Sequence, residues 1–359
     1  MATRSIVPFG PQHPVLPEPI HLDLVIEDEK VVEAIPSIGF VHRGLESLVS
    51  KREFTEYAYI AERICGICSF MHGASYCDAV ERIMGVELPD RAKYLRTIWA
   101  ELSRIHSHLL WLGLLADAFG FESLFMHSWR IREKILDMLE ESTGGRCIFS
   151  VNTIGGVLKD IDDDMMKGFL TELDKVDSDV RAMTATFLSD ATVINRLRGV
   201  GVLTKEQAHE FGATGPFMRA SGIERDMRQL GYYAYKDLDI EPIVSNEGDS
   251  YARCEVRIKE IFQSIDLIRQ AAEKMPAGEI AVPIKGNPDG EAFVRVEQPR
   301  GEAFYYVKAD GTKFIDRFRV RTPTFANIPA MLEVLKGCDY ADVPIMVLTI
   351  DPCISCTER

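Results

Sequence analysis

Apolar positions alternate from Ile20 onward: Ile20, Leu22, Leu24 and Ile26 fall on one face, and Val31 resumes the pattern after Asp28-Glu29-Lys30. A period of two broken by a charged triplet predicts a β-hairpin. Ahead of it stand Pro8, Pro11, Pro14, Pro17 and Pro19. Each proline removes a backbone donor and blocks the turn before it, so this opening is expected as an extended segment pinned to the body. Residues 40–46, flanked by Gly39, read as a loop that enters a helix near Leu45.

Helical spacing takes over at residues 54–61, which deliver Cys65, and at 71–84, which stop at Gly85 as a left-handed cap. Pro89-Asp90 opens a long helical run through Leu115, and 121–141 and 162–188 follow with acidic faces. Residues 195–222 hold five glycines and read as irregular. A helix is predicted over 251–274, short strands over 291–320 and another helix over 326–336. The apolar segment 343–350 hands the chain to Asp351-Pro352-Cys353. The order predicts an α+β fold, not alternating βαβ units: a predominantly helical bundle with a small N-terminal β part and short strands near 291–320. One integrated unit is expected. Residues 1–50 form the extended and β segment, and 51–359 form the helical domain with a β insertion at 280–320 and a C-terminal cysteine segment.

Composition narrows the class. With 46% apolar and 27% charged residues, the 359-residue chain has the balance of an ordinary folded protein. A net charge of −14 argues against a nucleic-acid surface, which needs a basic stripe. The N-terminus lacks the apolar core of a secretion signal, and the longest apolar stretch, 109–116, falls far short of the ~20 residues that span a bilayer. The chain is expected to be soluble, cytoplasmic and joined to a membrane only through partners.

Of eight cysteines, four lie in two Cys-x-x-Cys pairs at opposite ends: Cys65 and Cys68, then Cys353 and Cys356. Thiolates three residues apart can bind one metal, and two pairs brought together offer four sulfurs. A thioredoxin-like pair needs a preceding strand, whereas helix precedes Cys65. Structural zinc and an iron–sulfur cluster stay open on spacing alone. The second pair ends three residues before the C-terminus, a region that usually frays. Two ligands there require that the terminus be locked down. Cys77, Cys147, Cys254 and Cys338 lack ligand spacing and read as small buried residues. His106 and His108 are two apart, on different helix faces, and are poor co-ligands. His72, four residues after Cys68, is near enough to hydrogen-bond a ligating sulfur.

The surrounding residues resemble a known family. Arg63-Ile64-Cys65-Gly66-Ile67-Cys68, with His72 four residues on, and Asp351-Pro352-Cys353-Ile354-Ser355-Cys356, closed by Arg359, look like the two signatures of nickel–iron hydrogenase large subunits. Gly10-Pro11-Gln12-His13-Pro14, Val41-His42-Arg43-Gly44-Leu45-Glu46 and Arg219-Ala220-Ser221-Gly222 also resemble the related catalytic-core subunit of respiratory complex I. Together they point to the membrane-bound, energy-converting hydrogenases, Ech-type or CO-induced.

The resemblance implies a nickel–iron centre whose iron carries carbon monoxide and cyanide. Cys65 and Cys353 would be terminal nickel ligands, Cys68 and Cys356 would bridge nickel and iron, and His72 would hydrogen-bond Cys68. Glu297-Gln298-Pro299-Arg300-Gly301 resembles the family's Pro-Arg-Gly motif, which places Pro299 and Arg300 beside the iron. Thr324 matches the hydroxyl that caps a cyanide. Glu18 matches the family's proton-gate glutamate by its place before the first strand, where burial would raise its pKa. Without the family, Arg300 reads as a surface arginine in a turn and Glu18 as a solvated loop residue. Arg359 replaces the usual terminal His, so no additional cation site is expected there. No cysteine quartet remains for a further iron–sulfur cluster. Electrons would therefore leave through an iron–sulfur small subunit toward ferredoxin, with integral membrane subunits translocating ions and H2 as the substrate. The chain would sit on the cytoplasmic side of the cell membrane. The rivals are a complex I-like quinone-site subunit, whose relatives lack the four cysteines, and a structural zinc-bound scaffold.

Overall fold

The computed structural model describes residues 4–359. Strand β1 (Arg4–Phe9) pairs antiparallel with β2 (His21–Glu27), and β2 with β3 (Lys30–Ser37). Asp28 and Glu29 both take positive φ, 48° and 66°, the reversal whose twist suits a two-residue hairpin. The alternating residues Ile20, Leu22, Leu24 and Val31 are buried. The expected hairpin is present. The proline-rich opening adds a strand to it, because β1 lies at the sheet edge, where Pro8 is tolerated.

A 3-10 turn, Leu45–Lys51, leads into α1 (Phe54–Glu62) and α2 (Ser69–Met84). Gly85 closes α2 at φ 64°, the left-handed cap read from the sequence. Next come α3 (Asp90–Ala118), α4 (Glu122–Thr143), the small hairpin β4 (Asn152–Thr153) and β5 (Gly156–Val157), and α5 (Asp163–Ser189). The stretch expected to be irregular instead carries the end of α6 (Ala191–Leu197), then α7 (Lys205–Glu210) and α8 (Gly215–Arg219). Helices this short show no periodicity. A Thr204–Gln207 capping box and Pro216 in the first turn stabilise them locally. After α9 (Ser250–Lys274), strands β6 (Asp289–Gln298), β7 (Gly301–Asp310) and β8 (Ile315–Arg321) form an antiparallel meander. Then α10 (Pro323–Leu335), α11 (Val343–Ile350) and α12 (Ile354–Glu358) finish the chain. The fold is α+β, with a helical bundle and two small three-stranded sheets.

Helix α3 is the axis. It packs on α4, α9 and α11, and it is buried on nearly every face along its middle. A helix buried all round must pair its polar side chains, because an unpartnered buried charge is costly. Glu101 and Arg104 of α3 do so with Asp226, Arg228, Ser264 and Tyr235 in a lattice closed to solvent. One hydrophobic core fills the bundle and the β6–β8 sheet. A second lies between the N-terminal sheet, α10 and α11. The four paired cysteines form their own cluster, apart from both. Two of the other cysteines depart from expectation: Cys77 and Cys254 are buried, but Cys147 is exposed and Cys338 half-buried. Both lie outside helices and strands, where no packed face covers them.

Glu62, at the end of α1, is buried and accepts hydrogen bonds from the Ser150 amide and the Asn152 side chain. Burial pushes its carboxyl from the ordinary 4.5 up to about 7. Between those values the folded chain keeps a proton that the unfolded chain releases, so stability falls as pH rises through that window. Glu62→Gln is expected to flatten the decline in thermal midpoint between pH 5 and pH 8, recovering on the order of 3 kcal/mol at the upper end. Parallel pH profiles for variant and wild type would contradict this reading.

Candidate metal centre

The turn after α1 and the turn before α12 meet. Cys65 Sγ lies 3.4 Å from Cys353 Sγ, and Cys68 Sγ lies 3.3 Å from Cys356 Sγ. Each contact takes one sulfur from either end of the chain. The Cys65, Cys68 and Cys356 sulfurs all lie within 4.8 Å of one another, and all four residues are buried. The two turns share a design. Amides of Ile67 and Cys68 point at Cys65 Sγ, at 3.3 and 3.5 Å, and the Cys356 amide points at Cys353 Sγ, at 3.4 Å. Such donors favour the thiolate form of Cys65. The hydrogen-bonding thiols of Cys353, Cys356 and Cys68 hold Cys65 well below the usual thiol range, whereas burial lifts Cys356. Four buried sulfurs facing one another, with no carboxylate among them, fit a soft metal ion, and this donor set admits zinc, iron or nickel.

The sequence-predicted residues gather here. His72 Nε2 lies 3.5 Å from Cys68 Sγ and 3.3 Å from Cys356 Sγ, and burial keeps its ring neutral by pushing the pKa down to about 4. Pro299 and Arg300 form the two-residue turn between β6 and β7. Arg300 is 4% exposed, which excludes the surface reading. Its Nε donates to the Asp351 carbonyl and a terminal nitrogen to Asp351 Oδ1, both at 2.8 Å. Thr324 Oγ1 accepts from the Cys353 amide at 3.1 Å. Glu18 accepts from the Ile354 and Ser355 amides and, at 2.5 Å, from the Ser355 hydroxyl. It is half-buried, beside a cavity of about 420 Å³ lined by Gln12, His13 and Leu16, so it is less enclosed than the sequence implied. His106 is no ligand: its Nε2 lies 2.8 Å from the Ile67 carbonyl in the first cysteine turn.

The terminus is locked down, as its ligands require. Glu358 accepts from the Val41 amide at 2.5 Å, and its carbonyl faces His42 Nδ1 at 2.5 Å. Arg359 Nε reaches Glu46 Oε1 at 2.9 Å. Arg43 in the same loop donates to the Arg63 and Ile64 carbonyls, at 2.9 and 2.7 Å. One loop thus ties down both cysteine turns. Sequence reasoning gave no role to Asp351, Arg43, Tyr305 or Gln298. Asp351, Arg43 and Gln298 at least stood inside quoted motifs, but nothing in the sequence marked Tyr305.

Comparison with known proteins places the chain in a family. The family described as respiratory-chain NADH dehydrogenase, 49 Kd subunit, matches residues 118–285 and 284–359, and that described as nickel-dependent hydrogenase matches 43–117. This chain belongs to the family that joins hydrogenase catalytic subunits to the 49-kDa subunit of respiratory NADH dehydrogenase. It is 40% identical to the carbon monoxide-induced hydrogenase of Rhodospirillum rubrum, with 100% of both chains covered. It is 39% identical to the membrane-bound hydrogenase subunit alpha of Pyrococcus furiosus, over 98% of this chain and 87% of that one. Among solved structures, a chain of the membrane-bound sulfane sulfur reductase, an archaeal respiratory membrane complex, superposes with a TM-score of 0.94 at 31% identity, covering 99% and 98% of the two chains. Membership makes the chain an oxidoreductase subunit whose relatives work in membrane complexes.

The turn carrying Arg300 is set by a glycine contact. A Cβ on Gly215, at φ +67°, would sit 2.3 Å from Gly301 Cα and 2.4 Å from the Arg300 carbonyl. Gly215→Ala is therefore expected to displace the hairpin tip. The check is amide hydrogen exchange, which should speed up selectively at residues 300–302 while α3 stays protected. Unchanged exchange at the tip would show that the contact does not hold Arg300.

Proposed function

We propose that this chain is the catalytic subunit of a nickel–iron hydrogenase that interconverts H2 with two protons and two electrons. The observation that carries the reading is the convergence of four buried cysteines, one of each close pair from either end of the chain, in a family that includes nickel-dependent hydrogenases. Cys65, Cys68, Cys353 and Cys356 would hold a nickel–iron centre, Cys65 and Cys353 as its terminal thiolates and Cys68 and Cys356 as its bridging ones. When bound, that centre supplies the redox and Lewis-acid chemistry that splits hydrogen.

The protein's own groups do the rest. Arg300, held by Asp351, keeps a fixed positive charge at the rim of the site, where a guanidinium favours anionic ligands and hydrogen cleavage. Pro299 fixes the turn that aims it. Thr324 accepts from the Cys353 amide, and its own proton would be left to donate to a cyanide of the centre. Cys353 Sγ accepts a proton, and Glu18, bonded to the two amides that follow Cys353, takes it toward the cavity lined by Gln12 and His13. Electrons leave through an iron–sulfur small subunit toward ferredoxin, because the paired cysteines are already used. Among the described residues no helix is long and apolar enough to cross a membrane. On this reading integral membrane partners, of the kind found in the relatives' membrane complexes, hold the chain on the cytoplasmic side and couple the reaction to ion translocation.

A second reading, a complex I-like quinone-site subunit, draws support from the match of the 49-kDa family across residues 118–359. Metal analysis of the purified complex decides between them. One nickel per chain with infrared bands of iron-bound carbon monoxide and cyanide is expected. Zinc alone would indicate a scaffold, and no metal would favour the quinone-site subunit. Cys65→Ser should lose nickel. Glu18→Gln should leave the infrared bands in place and slow hydrogen–deuterium exchange by 10²-fold or more, on the order of a lost proton-transfer group. Full exchange in that variant would place the proton path elsewhere.

A further inference from the structure

The hairpin that presents Arg300 at its tip also reaches the sulfur cluster through His72. Tyr305, on β7 and fully buried, places its hydroxyl 2.8 Å from His72 Nδ1, with the two rings edge to face at 5.9 Å. Gln298, the last residue of β6, donates from Nε2 to the same hydroxyl oxygen at 2.8 Å. A phenol carries one proton. Its oxygen accepts from Gln298, and the structure assigns its proton to the acceptor beside it, His72 Nδ1. The ring nitrogen that receives it must be bare, so the imidazole proton sits on Nε2. That is the nitrogen facing Cys68 Sγ and Cys356 Sγ, at 3.5 and 3.3 Å.

From this chain of donors we infer that Gln298 and Tyr305 are positioning residues that fix His72 as the Nε2–H tautomer and so keep one N–H donor permanently aimed at the Cys68 and Cys356 sulfurs. The reverse polarity would turn a bare nitrogen lone pair toward two sulfurs that already carry lone pairs of their own. A neutral imidazole cannot choose its tautomer by itself; the partner of the far nitrogen chooses it. Here that partner is a tyrosine whose polarity is set in turn by an amide. Both belong to the hairpin whose tip carries Arg300, so one hairpin supplies the arginine and orients the histidine. The N–H donor withdraws electron density from the two sulfurs. On the nickel–iron reading above, on which only this last step rests, these are the bridging sulfurs, and the donor tunes the iron.

The test uses the full-length chain with ¹⁵N-labelled histidine, in which the His72 signals are identified by their loss in His72→Gln. Wild type should show a proton-bearing Nε2 and a bare Nδ1. Tyr305→Phe should redistribute the ring between both tautomers. Gln298→Glu should reverse it to Nδ1–H, because the new carboxylate accepts a hydrogen bond from the tyrosine hydroxyl and the phenol oxygen then accepts from His72. This variant keeps size and still reads the relay if Tyr305→Phe fails to fold. A wild-type Nδ1–H tautomer, or a Tyr305→Phe ring identical to wild type, would overturn the proposal. In the assembled complex, Tyr305→Phe should move the iron-bound carbon monoxide band to lower wavenumber, since less shielded sulfurs donate more strongly. An unmoved band beside a changed tautomer would refute the link to iron. A wild-type complex without such a band would overturn the nickel–iron reading and leave the tautomer result standing.

Discussion

Buried guanidinium groups bonded to backbone carbonyls hold both arms of the site. Arg104 of α3 donates to the Glu297 and Gln298 carbonyls, at 2.8 and 3.2 Å, and so fixes the end of β6 just before the Arg300 turn. Arg257 of α9 donates to the Thr349 and Ile350 carbonyls, both at 2.9 Å, and Trp111 of α3 to the Leu348 carbonyl at 2.7 Å. These carbonyls end α11, three residues before Cys353. Helix-terminal carbonyls have no intrahelical partner, and burying them without donors would be costly. Two long helices therefore position what hangs from them. The hairpin and the C-terminal segment arrive at the cysteines as rigid attachments.

The charges that do this are themselves costly to bury. Arg219 meets Glu260 and Glu297 at 2.7 Å each, and Arg228 meets Asp226 at 2.7 Å, all out of contact with solvent. Such lattices add little net stability, but removing one member strands its partners and costs about 3–5 kcal/mol. Their contribution here is register. Arg219 of α8, Glu260 of α9 and Glu297 of β6 can satisfy one another in one arrangement, and that arrangement sets where the Arg300 turn points.

Much of this was legible in the sequence, and for identifiable reasons. The β2–β3 hairpin and the α2 cap announce themselves through local rules: period-two alternation and a glycine that can adopt positive φ. The four cysteines announced a metal through spacing, and the residues around them gave the family. What the sequence hid is what depends on distant partners. α7 and α8 are too short for periodicity to reveal. Asp351 gains its role only when Arg300, some fifty residues away, folds onto it. Tyr305 lies on a strand whose alternation predicts burial but says nothing about a histidine 233 positions earlier. Cys147 looked like a core residue by type and is exposed because its loop lacks a covering face.

The central claim is that sulfurs from both ends of one chain share a nickel ion. X-ray absorption at the nickel edge of the purified complex addresses it directly. A first shell dominated by sulfur, at the four-thiolate level, with a second-shell scatterer consistent with iron, is the predicted result. A nickel edge that is absent, or a first shell of nitrogen and oxygen atoms alone, would contradict it.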